Sequence, residues 1–142
     1  MAKEVTLDSS VFISAFVEGD KFRPKARRII EKVFSGEYRV VTSATVLVEI
    51  CGAIARRAGA EKAFLVKEHL AKWEDMNLIN WSELTRERMD EAAKLAVELK
   101  LKGMDAIVVQ VAKEKNRALI TFDEEIAEKA KTIVKVDTHH KP

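Results

Sequence analysis

The stretch Val5-Thr6-Leu7-Asp8-Ser9-Ser10-Val11-Phe12-Ile13 passes from one periodicity to another within nine residues. Glu4 to Leu7 is a short β-branched and aliphatic run, a strand by length, and an acid closes it. From Ser10 to Glu18 the apolar spacing becomes helical. The same alternation continues along the chain. Tyr38 to Thr42, Leu78 to Trp81, Ala118 to Thr121 and Ile133 to Val136 are predicted strands. Pro24 to Phe34, Ala44 to Arg57, Ala60 to Asp75, Arg86 to Leu101, Ala106 to Lys115 and Glu124 to Ala130 are predicted helices. Pro24 suits a first helical turn and Gly36 a helix end, Gly59 separates two helices, and Gly103 is expected to break the segment carrying Leu95 and Leu99 from the next. Helices separate every pair of strands, and parallel neighbours need crossovers that return over the sheet, so the expected class is α/β with a parallel sheet covered on both faces.

A chain of 142 residues fits one domain, expected over residues 1–137, with 138–142 as a short tail. The adjacent His139 and His140 in that tail make a poor metal site, because neighbouring side chains on a terminal segment rarely converge. With 47% hydrophobic residues and few Gly or Pro, the composition is that of an ordinary globular chain. Cys51 is the single cysteine, which excludes an intrachain disulfide, a zinc ribbon and a CxxC pair and suits a cytoplasmic setting. The apolar stretches Val46 to Ala55 and Ala106 to Ala112 are interrupted by Glu49 and Gln110 and fall short of a membrane span. The first residues, with an acid at Glu4 and no apolar core, do not read as a signal peptide. Charge is abundant while Gln110 is the only glutamine, a bias shared with thermophilic proteins. A net charge of +2 is too mild to indicate a polyanionic partner, so any such argument rests on local clusters.

Ligands of open parallel sheets gather beyond the carboxyl ends of the strands. Asp8 and Asp123 stand at two such ends and Asp105 follows Gly103 at a helix start. Each alone reads as a helix cap, worth about 1 kcal/mol. Glu49 does not, since it lies inside Val46-Leu47-Val48-Glu49-Ile50; its ordinary readings are a narrow solvated stripe with Thr45, Gly52 and Arg56, or an ion pair with Arg56. Should the four converge, charges about 4 Å apart would repel by roughly 4 kcal/mol per pair even at surface-like dielectric. A divalent cation would relieve that, and oxygen-only donors favour Mg²⁺ or Mn²⁺, the ions of phosphoryl-transfer chemistry. Other chemistries lack their parts. Ser9 and Ser10 have no nearby histidine, His69 sits in a surface-like helical pattern, and neither GxGxxG nor GxxxxGK[ST] occurs.

Taken together, Val5 to Ile13, Val46 to Ile50, Gly103-Met104-Asp105-Ala106 and Leu119-Ile120-Thr121-Phe122-Asp123 resemble the PIN-domain family, particularly the small VapC-type toxin ribonucleases, over nearly the whole chain. The resemblance implies a three-layer sandwich, with a five-stranded parallel sheet of order 3-2-1-4-5 flanked by about seven helices. It implies that Asp8, Glu49, Asp105 and Asp123 surround Mg²⁺ or Mn²⁺ and support metal-dependent cleavage of RNA, with Ser10 and Thr121 as supporting polar residues. Local capping is the ordinary reading of Ser10. A homodimer and a VapB-type antitoxin follow from the same resemblance. Asn116 departs from the glycine common before the fourth strand, and Glu124 and Glu125 stand beside Asp123 as possible substitutes.

Lys21, Arg23, Lys25, Arg27, Arg28 and Lys32 crowd positive charge into twelve residues opposed only by Glu31. Arg23, Lys25 and Arg28, with Arg56 beyond Glu49, are candidate RNA contacts; a solvated helix face is the ordinary alternative. No aromatic stacking motif accompanies them. Rival readings are a catalytically inactive PIN-like RNA- or protein-binding module and a PIN nuclease of RNA processing. A haloacid-dehalogenase phosphatase would need DxD where Asp8-Ser9-Ser10 stands, and a receiver domain would need an acid where Asn80-Trp81-Ser82 stands.

Overall fold

A computed structural model describes residues 1–137; residues 138–142, with His139 and His140, lie outside the described residues. The order is β1 (Lys3–Leu7), α1 (Ser9–Phe16), α2 (Arg23–Phe34), β2 (Tyr38–Ser43), α3 (Ala44–Ala58), α4 (Ala60–Asp75), β3 (Ile79–Ser82), α5 (Arg86–Leu99), α6 (Gly103–Glu114), β4 (Ala118–Ile120), α7 (Glu124–Ala130) and β5 (Val136–Asp137). The strands form one parallel sheet in the order β3-β2-β1-β4-β5, as the resemblance implies.

β1 is the central strand, with Val5 opposite both Val40 of β2 and Ala118 of β4. Its aliphatic residues Val5 and Leu7 are buried, as parallel strands covered on both faces require. The two buried threonines of the central pair are satisfied across the sheet: Thr6 Oγ1 donates to the Val41 carbonyl and Thr42 Oγ1 to that of Leu7, each at 2.8 Å. Consecutive crossovers run β1 to β2 to β3 in one direction and β4 to β5 in the other. The direction therefore reverses between β1 and β4, which opens a crevice where their carboxyl ends meet.

Several boundaries differ from the sequence reading, each for a local reason. The break before α6 falls at Lys100, which takes a left-handed conformation (φ 55°) and whose carbonyl accepts a 2.8 Å bond from Lys129 Nζ; Gly103 is already helical. Asp105 is consequently the third residue of α6, and Lys102 occupies the N-cap. β5 lies further along than Ile133 to Val136, because the Ile133 and Val134 amides bond back to the Ala130 carbonyl at 3.0 and 3.1 Å and close α7 first. Asn116 is left-handed (φ 52°), a conformation that glycine adopts freely and asparagine tolerates better than most residues.

Candidate active site

Asp8 leaves β1 at the reversal point, where its amide donates to the Ile120 carbonyl of β4 at 3.1 Å. Its side chain forms no cap bond with α1. Instead its Oδ2 accepts from Thr121 Oγ1 at 2.8 Å and from Ser10 Oγ at 2.9 Å, in a buried setting. Both hydroxyls have a second task. Ser10 Oγ accepts the Phe122 amide at 3.1 Å, and Thr121 Oγ1 accepts the Asp123 amide at 3.0 Å. Ser10 thus ties the start of α1 to the segment after β4. Together the two side chains fix Asp8 relative to Asp123.

Asp123 does cap a helix: its Oδ1 accepts the Ile126 amide at 3.1 Å at the start of α7. Glu49 lies on the second turn of α3, half-buried, and Asp105 on the first turn of α6, also half-buried. Their charges act on one another and on Asp8. Burial, then the charges of Asp8 and Asp105, push the Glu49 carboxyl up to about 7. Burial, then Asp8 and Asp123, push Asp105 up to about 6, with Lys102 acting weakly in the opposite sense. Burial also raises Asp8, against the pull of its two hydroxyl bonds.

None of the four acids forms a salt bridge among the described residues. The ion pair open to Glu49 and Arg56 in the sequence is not made. Arg56 Nη1 folds back over Gly52 instead, 3.3 Å from where a Cβ would stand, and the neighbouring Arg57 pairs with Asp20 at 3.1 Å. Glu125 pairs with Lys129 at 3.4 Å and adds slightly to the repulsion on Asp105.

Such a set of unneutralised carboxylate oxygens, with no sulfur or imidazole donor, suits a hard divalent ion. Among the described residues no three His, Cys, Asp or Glu side chains close around a common point as a metal-holding group. Mg²⁺ does not require that, since it retains several waters and commonly takes one or two carboxylates directly. Asp8, Glu49, Asp105 and Asp123 are the residues that would hold it.

Of the basic candidates, Arg28 and Arg56 are exposed and Arg23 and Lys25 are half-buried on α2. The Arg23 Nε is buried with no hydrogen-bond partner. One contact beside α2 escapes sequence reading altogether: Phe22, just before α2, stacks on Phe122 with ring centroids 4.9 Å apart, and Lys21 Nζ sits 5.0 Å over the Phe22 ring. The two phenylalanines are far apart in sequence, and no local periodicity links them.

The chain matches the PIN domain family model over residues 5–132. Compared with curated protein sequences, it matches none. Its fold is similar to that of the Mycobacterium tuberculosis toxin VapC20, which cleaves the sarcin-ricin loop: 21% identity, 87% of this chain and 93% of that one covered, TM-score 0.71. It is also similar to FitAcB from Neisseria gonorrhoeae, with 14% identity, 97% and 99% coverage and TM-score 0.71. A toxin-antitoxin complex from Klebsiella pneumoniae matches with 18% identity, 97% and 99% coverage and TM-score 0.67. Among the described residues no helix is long and apolar enough to cross a membrane.

Proposed function

This chain belongs to the PIN domain family, and from that premise we propose that it is a metal-dependent endoribonuclease, the toxin of a VapBC-type toxin-antitoxin pair. The observation that carries the reading is the anchoring of Asp8 by Thr121 and Ser10 at the point where the sheet reverses, with Glu49 and Asp105 near enough for its charge to raise them and none of the three in a salt bridge among the described residues. Holding like charges together works against folding, so carboxyl groups kept close in this way point to a function that uses them.

The chemistry that Mg²⁺ or Mn²⁺ supplies at such a centre is neutralisation of charge on the scissile phosphate and the leaving oxygen, with activation of a water. Asp8, Asp105 and Asp123 would hold the cation. Glu49, on α3, would complete the acidic set or position a water. Ser10 and Thr121 keep Asp8 in one rotamer by donating to its Oδ2. RNA approaches along the basic wall of Arg23, Lys25, Arg28 and Arg56, where contacts to phosphate give affinity without reading sequence.

A VapB-type antitoxin is the expected inhibitor, which similarity to toxins and toxin-antitoxin complexes supports; a homodimer is the working form we propose. The test is cleavage of a mixed RNA pool by antitoxin-free protein with Mg²⁺, Mn²⁺ or EDTA, beside Asp8→Asn and Asp105→Asn. Products that need metal and vanish in both variants are expected. No cleavage under any metal would turn the reading to a binding module.

A further inference from the structure

Asp8 and Asp123 are tied to each other through Ser10 and Thr121, but those bonds do not reach Asp105. Among the described residues no hydroxyl or amide holds the Asp105 carboxylate. It stands on the first turn of α6, after an irregular connection in which Lys100 is left-handed (φ 55°) and Lys102 occupies the N-cap without a side-chain bond. Leu101 and Ala106 are buried and anchor this segment at two points. Between them, nothing lies within 4 Å of where a Gly103 Cβ would stand, and Met104 is exposed. Packing therefore leaves the start of α6 weakly fixed, and with it the position of Asp105.

A polar contact from another element reaches this segment. Lys129, in the last turn of α7, donates from Nζ to the Lys100 carbonyl at 2.8 Å, and the same Nζ pairs with Glu125 Oε1 at 3.4 Å. An ammonium has three donors in no fixed plane, so it serves both oxygens at once. A partly exposed Glu–Lys pair one turn apart adds little stability of its own. Its consequence is to narrow the positions open to the Lys129 ammonium. At the other end of α7 stands Asp123, whose Oδ1 caps the helix by accepting the Ile126 amide at 3.1 Å. α7 is thus a short rod with one of the four acids at its start and, near its end, the lysine that grips the turn ahead of another.

We propose that Lys129 is a positioning residue of the acid centre: by tying α7 to the α5–α6 turn, it sets Asp105 relative to Asp123. The proposal rests on the reading of the four acids as a cation-binding centre. Lys129 touches neither the cation nor RNA in this role and acts through the backbone that carries Asp105.

The test is Mn²⁺ titration of the metal-free full chain by calorimetry, beside RNA cleavage kinetics, for wild type, Lys129→Met and Lys129→Arg. Lys129→Met keeps an unbranched stem and removes the donors. It is expected to weaken Mn²⁺ binding about tenfold, the low end for residues that support metal ligands from behind. It is also expected to lower kcat while leaving KM for RNA unchanged, because no RNA contact is lost. In the metal-free protein, amide exchange over residues 101–106 is expected to quicken, since the turn loses its tie to α7. Lys129→Arg, which keeps the charge and the donors, is expected to restore all three. Wild-type Mn²⁺ affinity in Lys129→Met would overturn the proposal while leaving the cation centre standing. So would a loss that Lys129→Arg fails to restore, or a loss of native circular dichroism in Lys129→Met, since either assigns Lys129 a general structural role. A raised KM at unchanged kcat would make it an RNA contact and overturn the proposal as well. A wild type that binds no Mn²⁺ would overturn both this proposal and the cation centre.

Discussion

Asp8 is held by two hydroxyl groups, Ser10 and Thr121, whose other bonds go to the backbone after β4. Thr121→Val keeps the shape and removes the donor. It should lower RNA cleavage about tenfold or more, because an unanchored carboxylate leaves productive geometry, with the fold judged intact by circular dichroism. Glu49 makes a different prediction. Its native value of about 7 lies above the ordinary 4.5, so the native state keeps a proton that the unfolded chain has released. Metal-free protein therefore loses stability as pH rises from about 4.5 through about 7, and Asp105, at about 6, adds in the same sense. Glu49→Gln should raise the metal-free Tm at pH 8 and leave it little changed at pH 4. After discounting for solvent screening, the gain is about 1 kcal/mol, roughly 3 °C. A thermal melt at the two pH values checks this.

At the scale of elements, the strands and helices were legible because a short β-branched run and a helical apolar spacing differ strongly over even a few residues. What sequence reading misplaced were the ends. The α5–α6 break was expected at Gly103, yet Lys100 takes the left-handed turn, a conformation that side-chain chemistry does not announce. Ile133 and Val134 look like strand residues but close α7, because the helix end claims their amides first. The cap reading was right for Asp123, absent for Asp8 and displaced to Lys102 in the case of Asp105. Lys100 carries a prediction of its own: Lys100→Gly should relieve a left-handed conformation that costs a side chain about 1 kcal/mol, and so raise the Tm by about 3 °C. Differential scanning calorimetry would register it.

Across the whole molecule, Asp8, Glu49, Asp105 and Asp123 come from four separate parts of the chain, and no local pattern could show where they lie relative to one another. Their order along the sequence resembled a family; the sheet order β3-β2-β1-β4-β5 reverses direction beside β1, where Thr121 joins Asp8 to the segment that carries Asp123. The Phe22–Phe122 stack and the fold-back of Arg56 over Gly52 depend on the same long-range arrangement and stayed invisible for the same reason. The central claim is that these four acids form one cation-binding centre. It is tested most directly by titrating Mn²⁺ into metal-free wild type, Asp8→Asn and Asp105→Asn by calorimetry at pH 6.5, in two buffers of different ionisation enthalpy. The account predicts saturable binding by wild type with release of protons, since Glu49 and Asp105 are partly protonated at that pH, and loss of that binding in both variants. Equal Mn²⁺ binding by all three proteins, or none by wild type, would contradict it.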